Sequence, residues 1–146
     1  MNVGQICSRD VDLVELDESA RDAARRMLER QVGTLVVLDK SERPAGIVTD
    51  RDLALRVIAA GKAAEATPVG DIVSAPVRSI VEGASLDDAI AMFRDGACRR
   101  LPVVDATGRM VGIVSLDDVL ETFAEELRRI ACLLEREAPH PHAPRR

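Results

Sequence analysis

Aromatic side chains are almost absent from this sequence. Its 146 residues include no Trp, no Tyr and two Phe, which are Phe93 and Phe123. Because 47% of the residues are hydrophobic, the chain can bury a core, but Val, Leu, Ile, Ala and Met have to fill it. A flat ligand would therefore be held between aliphatic side chains, without aromatic stacking.

The residue types that most catalytic and metal sites require are also scarce. Both histidines, His140 and His142, lie near the C-terminus, and Cys7, Cys98 and Cys132 are far apart with no CxxC spacing. The sequence has no GxSxG, P-loop, HExxH or GxGxxG motif. We therefore expect no enzymatic activity, no metal site and no disulfide framework. A redox protein that uses Cys7 or Cys98 is a disfavoured alternative, since no neighbouring base or second cysteine supports it.

Positive charge is in deficit. The chain has 20 Lys and Arg against 25 Asp and Glu, which gives a net charge of −5 at pH 7. Proteins that bind nucleic acids usually carry a basic surplus that neutralises phosphates, so this balance disfavours DNA or RNA as a partner. No apolar run is long enough for a signal peptide or a membrane span. We expect a cytoplasmic protein that contacts neither nucleic acid nor membrane.

The chain contains an internal repeat. A single offset, which places Gly4 on Gly70, aligns its two halves without a gap. Identical residues then recur along both halves, including Ser19 and Ser85, Leu35 and Leu101, Val37 and Val103, Gly46 and Gly112, Ile47 and Ile113, and Asp52 and Asp118. We predict a first repeat at 3–60, a linker at 61–68, a second repeat at 69–125, a C-terminal helix extension at 126–138 and a mobile tail at 139–146.

The sequence of each repeat predicts strands and helices in the order β-α-β-β-α. An extended stretch precedes a helix that Ser19 or Ser85 can cap, and two β-branched runs separated by a polar turn predict a hairpin. A second helix then starts near Thr49 or Ser115. A unit of this size buries too little surface to fold well alone. The predicted fold class is therefore α/β (α+β), with both repeats forming one pseudo-twofold module.

The last predicted helix is longer than its counterpart in the first repeat. Its apolar residues alternate steps of four and three, which is a heptad pattern; they are Leu116, Leu120, Phe123, Leu127, Ile130 and Leu134. Packing on the module's own core and a contact with a second subunit explain the first half of this stripe equally well. Beyond Leu127 we expect a contact between the subunits of a homodimer.

A strand-to-helix turn recurs in both repeats. Thr49 or Ser115 ends a strand, and Asp52 or Asp118 follows three residues later in the first helical turn. A helix N-terminus and a hydroxyl can bind phosphate, and a carboxylate can accept hydrogen bonds from the two hydroxyls of a ribose. The same spacing is also that of an ordinary capping box. Because the pattern occurs at equivalent positions in both repeats, nucleotide binding becomes an interpretation comparable in weight to the capping box.

These residues resemble a known family. The two turns, GIVTDRDL and GIVSLDDV, together with LPVVD at 101–105, look like the CBS domain, and the doubled unit resembles a stand-alone, bacterial-type tandem pair called a Bateman module. The resemblance covers about residues 3 to 125. It implies a non-catalytic sensor, commonly a homodimer, that binds AMP, ADP, ATP, NAD(H) or S-adenosylmethionine between its repeats. Such a sensor acts on a partner protein, which the sequence does not identify.

The resemblance also implies a set of ligand-binding residues. Asp52 and Asp118 match the acid that binds the ribose, and Thr49 and Ser115 match the hydroxyl on the phosphate side. The aliphatic positions that match the adenine contacts are Val11, Val14, Val77, Ile80, Ile47 and Ile113.

The two ligand clefts implied by the resemblance are not expected to be equivalent. Arg100 matches a frequent phosphate contact, whereas its counterpart in the first repeat is Thr34, and Arg51 corresponds to Asp117. A nearby arginine tolerates more phosphate charge, and a carboxylate repels it. The alternative hypothesis keeps the fold but leaves the clefts empty, which makes the chain an assembly or dimerisation module.

Overall fold

The first repeat has the predicted β-α-β-β-α order, preceded by a short helix. The computed structural model describes residues 1–74, 77–96 and 98–137. The elements of the first repeat are α1 (Val3–Ile6), β1 (Leu13–Glu15), α2 (Ala20–Arg30), β2 (Thr34–Leu38), β3 (Pro44–Thr49) and α3 (Asp50–Leu53), which continues as a π-helical turn (Ala54–Ile58). The predicted cap of α2 is confirmed, since the Ser19 hydroxyl accepts a hydrogen bond from the backbone N–H of Asp22 at 3.1 Å.

The second repeat follows the same order. It starts with a 3-10 turn (Val69–Asp71) and continues with β4 (Ile80–Val81), α4 (Leu86–Gly96), β5 (Arg100–Val104), β6 (Met110–Ser115) and α5 (Leu116–Glu137). Ser85 and Asp88 exchange hydrogen bonds at the start of α4, which confirms the second predicted cap. The tail predicted at 139–146, with His140 and His142, lies outside the described residues.

Each repeat builds a three-stranded sheet of the same topology. β1 pairs parallel to β2 and β4 to β5, whereas β2 and β3, like β5 and β6, are antiparallel hairpins. The register shifts at equivalent places, between Val37 and Leu38 and between Val103 and Val104. The predicted hairpins and the internal repeat are thus both confirmed, even in the position of a β-bulge.

The opening segment of each repeat packs on the other repeat. Val3 donates its backbone N–H to the carbonyl of Ala84 at 2.9 Å, and Val69 donates to Glu18 at 2.8 Å. Both valines are fully buried, Val3 in the core of the second repeat and Val69 in the core of the first. Because each core is completed by the other repeat, the chain folds as one module.

The exchanged segments lie very close to the sheets. The backbone of Ser8 bridges to Ile113, and that of Ser74 bridges to Ile47. A Cβ atom at Gly112 would lie 2.7 Å from the carbonyl oxygen of Ser8, so the glycine is what allows this approach.

The two hydrophobic cores are nearly free of aromatic residues, as the composition predicts. Phe93 is buried in the second core, and the other large buried side chains are aliphatic, among them Leu35, Val48 and Ile72 in the first repeat. Phe123 is 43% exposed on α5.

Helix α5 leaves the core early in its course. Val119 is buried, but the large apolar residues that follow it on α5 are exposed, which are Leu120, Phe123, Leu127, Ile130 and Leu134 of the stripe and also Leu133. The hydrophobic core of the second repeat therefore buries the first turn of α5 and little of the helix beyond it. Over the described residues, we find no helix with the length and apolar character needed to cross a membrane.

Candidate functional site

Both strand-to-helix turns form reciprocal capping boxes. At the start of α3, Thr49 donates its backbone N–H to Oδ2 of Asp52 at 2.9 Å and accepts a hydrogen bond from the Asp52 N–H at 3.1 Å. At the start of α5, Ser115 donates its N–H to Oδ2 of Asp118 at 2.7 Å and accepts from the Asp118 N–H at 3.0 Å. Each aspartate therefore uses Oδ2 in the capping box, which leaves Oδ1 as the oxygen that can bind another group.

One such turn opens into a cavity between the repeats. We call this cavity cleft 1; its volume is about 430 Å³. It is lined by Asp10, Val11, Asp12, Gln31, Val32, Gly33, Thr34, Val36, Arg100, Ile113, Ser115 and Asp118. The structure thus brings together five of the residues singled out from the sequence, which are Val11, Arg100, Ile113, Ser115 and Asp118.

The entrance of cleft 1 carries a fixed charge cluster. Arg30 on α2 donates to Oδ1 of Asp12 at 2.6 Å and to Oδ1 of Asp10 at 2.9 Å. The hydrogen bond to Asp12 is the largest cause that raises the pKa of Arg30 above its ordinary value. Arg30 partly neutralises these acids, and Arg100 contributes a cation to the lining of the cavity.

A second cavity occupies the equivalent position on the other side of the pseudo-twofold axis. This cleft 2 has a volume of about 250 Å³. It is lined by Ile47, Ser74, Val77, Arg78, Gly96, Cys98, Arg100 and Leu101. Arg100 therefore borders both clefts, and Ile47 and Val77 lie in cleft 2. Thr49 and Asp52 do not belong to the described lining of cleft 2.

Asp52 is occupied by its neighbours. The Ser74 hydroxyl donates to Oδ1 of Asp52 at 3.5 Å, and Nε of Arg56 lies 3.6 Å from the same oxygen. The side chain of Asp52 is 13% exposed. By contrast, none of the described residues forms a hydrogen bond or ion pair with Oδ1 of Asp118. The two acids share a sequence motif but differ in their availability to a ligand.

Two aliphatic residues implied by the resemblance lie away from both clefts. Val14 is 1% exposed in the first core, and Ile80 is 4% exposed in the second. Side chains alternate between the faces of a strand, so these two positions point into the sheet's own core. The structure therefore corrects the expectation that Val14 and Ile80 face a ligand.

Several polar residues of the clefts were not identified from the sequence. The linings contain Asp10, Asp12, Ser74 and Arg78. Outside the linings, Arg30 pairs with Asp12 and Arg56 pairs with Asp52. Alignment of the repeats carries a usable signal, because it pairs Asp12 with Arg78 and Arg56 with Thr122 and so marks where the clefts differ in charge.

Metal and thiol chemistry find little support in the described part of the chain. No group of three or more His, Cys, Asp or Glu residues there could hold a metal ion. Cys7 and Cys98 are half-buried free thiols, and Cys132 is an exposed one on α5. The linings of the two clefts offer hydroxyl, carboxylate, guanidinium, amide and aliphatic groups, and Cys98 adds a thiol to cleft 2.

Comparison with known proteins gives one consistent result. The CBS domain profile matches residues 3–59 and 69–125. The CBS domain-containing protein YhcV of Bacillus subtilis is 34% identical over 118 residues, which are 81% of this chain and 82% of that protein.

Solved structures agree with this match. CBSX2 of Arabidopsis thaliana, solved in complex with AMP, is 26% identical to this chain, with a TM-score of 0.70. The matched region covers 85% of this chain and 96% of the CBSX2 chain. Hypoxic response protein I, solved with two coordinated zinc ions, is 26% identical to this chain, with a TM-score of 0.74. The matched region covers 83% of this chain and 98% of the chain of that protein. With both repeats matched and each repeat building the same three-stranded sheet, the chain belongs to the CBS-domain family as a tandem pair.

Proposed function

We propose that the chain is a non-catalytic regulatory module that binds an adenosine-containing ligand in cleft 1 and transmits its presence to a partner protein. The observation that carries this proposal is Asp118, which lines a cavity between the two repeats and has one carboxylate oxygen without a described hydrogen bond or ion pair. AMP, ADP, ATP, NAD(H) and S-adenosylmethionine share the adenosine that such a cleft would recognise. The complex of the relative CBSX2 with AMP supports this ligand class.

Each wall of cleft 1 has a distinct role in this proposal. Oδ1 of Asp118 accepts hydrogen bonds from the ribose hydroxyls, and the Ser115 hydroxyl and the N-terminus of α5 face the phosphate side. Arg100 supplies positive charge for a phosphate. Val11 and Ile113 offer aliphatic surfaces to the adenine, in keeping with the scarcity of aromatic residues.

The position of the cleft gives a route for transmission. Val11 and Thr34 come from the first repeat and Ser115 and Asp118 from the second, so a ligand that contacts all of them fixes one repeat against the other. The ligand also touches the start of α5, which has 22 residues and is about 33 Å long. The exposed stripe on α5 then extends away from the site toward a second subunit or another partner.

The exposed stripe also favours a second candidate function. In that alternative the clefts stay empty, and α5 serves a ligand-free assembly or dimerisation module. The absence of ligand binding, combined with a stable dimer, would favour this alternative.

A thermal-shift panel tests the proposed function. Wild type is heated with AMP, ADP, ATP, NAD(H) or S-adenosylmethionine, alongside Asp118→Ala and the control Asp117→Ala. Although the repeat alignment predicts that Asp117 acts on a phosphate, its side chain is exposed, pairs with Arg99 and is not part of the lining of cleft 1, so the control removes the same charge outside the cleft. At a ligand concentration of about 100 Kd the folded state gains about 2.7 kcal/mol. Each kcal/mol raises Tm by roughly 3 to 4 °C at this chain length.

The expected result is a rise in Tm with at least one compound for wild type and Asp117→Ala, and a much smaller rise for Asp118→Ala. If no adenosine compound shifts the wild-type protein, ligand binding is wrong and assembly is the better account. An equal shift in Asp118→Ala would place the ligand elsewhere.

A further inference from the structure

The carboxylate of Asp52 is held by an arginine from its own helix. Arg56 lies four residues after Asp52, and its Nε is 3.6 Å from Oδ1 of that aspartate. The same guanidinium donates through Nη1 to the carbonyl of Ile72 at 3.1 Å and also reaches the carbonyl of Val73. Arg56 is therefore fixed between Asp52 and the exchanged segment of the second repeat, with Ser74 adding a hydroxyl to the same carboxylate oxygen.

The equivalent positions of the other turn are built differently. Repeat alignment places Thr122 opposite Arg56 and Ser8 opposite Ser74. The Thr122 hydroxyl donates to the backbone carbonyl of Asp118 at 2.8 Å, and the Ser8 hydroxyl donates to the carbonyl of Asp10 at 3.5 Å. Neither side chain has a described bond to the carboxylate of Asp118, which stays open to cleft 1.

The difference between the turns decides whether a ribose can bind. A ribose hydroxyl that approached Oδ1 of Asp52 would have to displace the nearby guanidinium and a hydroxyl, and Arg56 would then lose its ion-pair partner. At Asp118 the same hydroxyl meets an oxygen without a described protein donor. Ribose binding at Asp52 therefore requires the loss of existing contacts, whereas ribose binding at Asp118 does not, although both aspartates belong to the same motif.

We infer that Arg56 is a specificity-determining residue: it occupies Asp52 beside cleft 2, which Asp52 adjoins through Ser74, so that the chain binds one nucleotide, in cleft 1. This inference rests on the function proposed above and specifies its stoichiometry. Arg56 acts by occupying Asp52, and removal of its side chain would convert the single-site module into a two-site module.

Isothermal titration calorimetry with AMP, and in parallel with ATP, tests this inference on the full chain. Wild type is expected to bind one molecule per chain, and Arg56→Thr, which installs the residue of the other repeat, is expected to bind two. Arg51→Thr is the matched control, because it removes an exposed arginine of the same helix that has no described contact with Asp52, and it should still bind one. Arg56→Gln repeats the test with less loss of side-chain volume if Arg56→Thr folds poorly.

A double variant assigns the sites. Asp118→Ala alone should weaken binding by about 10- to 100-fold, since it removes a charged acceptor. Asp118→Ala combined with Arg56→Thr should recover one site, now in cleft 2. Two molecules bound by wild type, or one bound by both Arg56 variants, would overturn the inference and leave the proposed function intact. No binding of AMP or ATP by wild type and all variants would overturn both.

Discussion

Arg26 on α2 holds Glu18 in a two-pronged ion pair. Its terminal nitrogens lie 2.7 and 3.1 Å from the two carboxylate oxygens of Glu18, and one of them also donates to the carbonyl of Leu13 at 2.6 Å. Glu18 in turn accepts the backbone N–H of Glu15 at 2.7 Å. The pair thus fastens α2 to β1 at the point where the first repeat changes from strand to helix.

This ion pair predicts a pH-dependent contribution to stability. The hydrogen bond from Arg26 is the main cause that lowers the pKa of Glu18 below its ordinary value of 4.5. A carboxyl with a lowered folded-state pKa stabilises the folded state above pH 4.5, and this stabilisation is lost as the pH falls through the folded-state value. Because the pair is partly exposed, Glu18→Gln should cost about 0.5 to 1 kcal/mol at pH 7.

Urea unfolding at several pH values measures this contribution. The difference in unfolding free energy between wild type and Glu18→Gln should shrink as the pH falls below 4.5. Asp17→Asn is a suitable control, because no described ion pair involves Asp17. A difference that persists unchanged at low pH would show that the charge of Glu18 is not what stabilises the turn.

Gly112 should not tolerate even one methyl group. A Cβ at this position would lie 2.7 Å from the carbonyl oxygen of Ser8 and 2.9 Å from the thiol of Cys7, so the exchanged N-terminal segment would have to shift. We expect Gly112→Ala to reduce the unfolding free energy by about 1 to 3 kcal/mol. Chemical denaturation provides the measurement.

The control for this substitution is Gly83→Ala. A Cβ at Gly83 would meet no atom within 4 Å, so its effect should stay within about 0.5 kcal/mol. Equal effects of the two substitutions would mean that the close approach of Ser8 to β6 does not hold in solution.

The exposed stripe of α5 predicts a homodimer. Leu127 is 67% and Leu134 is 64% exposed on the same helix, and burial of both against a second copy removes apolar surface from water. Wild type should scatter light with twice the mass of one chain. Leu127→Glu combined with Leu134→Glu should give the mass of a single chain, because four carboxylates would meet at the contact.

A charge-matched control separates surface chemistry from net charge. Arg128→Gln combined with Arg136→Gln changes the net charge by the same amount, yet it leaves the apolar stripe intact, so the mass should remain doubled. Should the leucine variants keep the doubled mass, the contact between subunits would have to lie elsewhere than on this stripe.

The sequence predicts the elements that carry a strong local signal. Ser19 and Ser85 cap their helices as expected, and the polar turns between β-branched runs do form hairpins. The unpredicted α1 is four residues long, which is too short for a periodic pattern. Its packing depends on long-range contacts that appear in no local signal, although the alignment of Gly4 with Gly70 does mark the two exchanged segments as related.

The sequence predicts the motif of the candidate site, but it does not predict which protein groups contact each aspartate. Ser115 and Asp118 meet Val11 in one cleft, as the resemblance implies. The same motif at Asp52 leads instead to a carboxylate that pairs with Arg56, at an i,i+4 spacing that the sequence shows, and that Ser74 contacts through long-range packing that the sequence does not show. In this chain the helix continues as a π-helical turn, and a sequence pattern with a period of 3.6 does not indicate such a turn.

The exchange of opening segments has a consequence for how the chain acquires its structure. During synthesis from the N-terminus, the core of the first repeat stays incomplete until Val69 and Ile72 have been made. Val3, the first residue of α1, finds its partners only after β5, β6 and the start of α5 exist. Contacts between residues so far apart in sequence raise the contact order and slow folding. Neither core is therefore complete within its own repeat, and α1 can dock on the second core only once most of the chain is available.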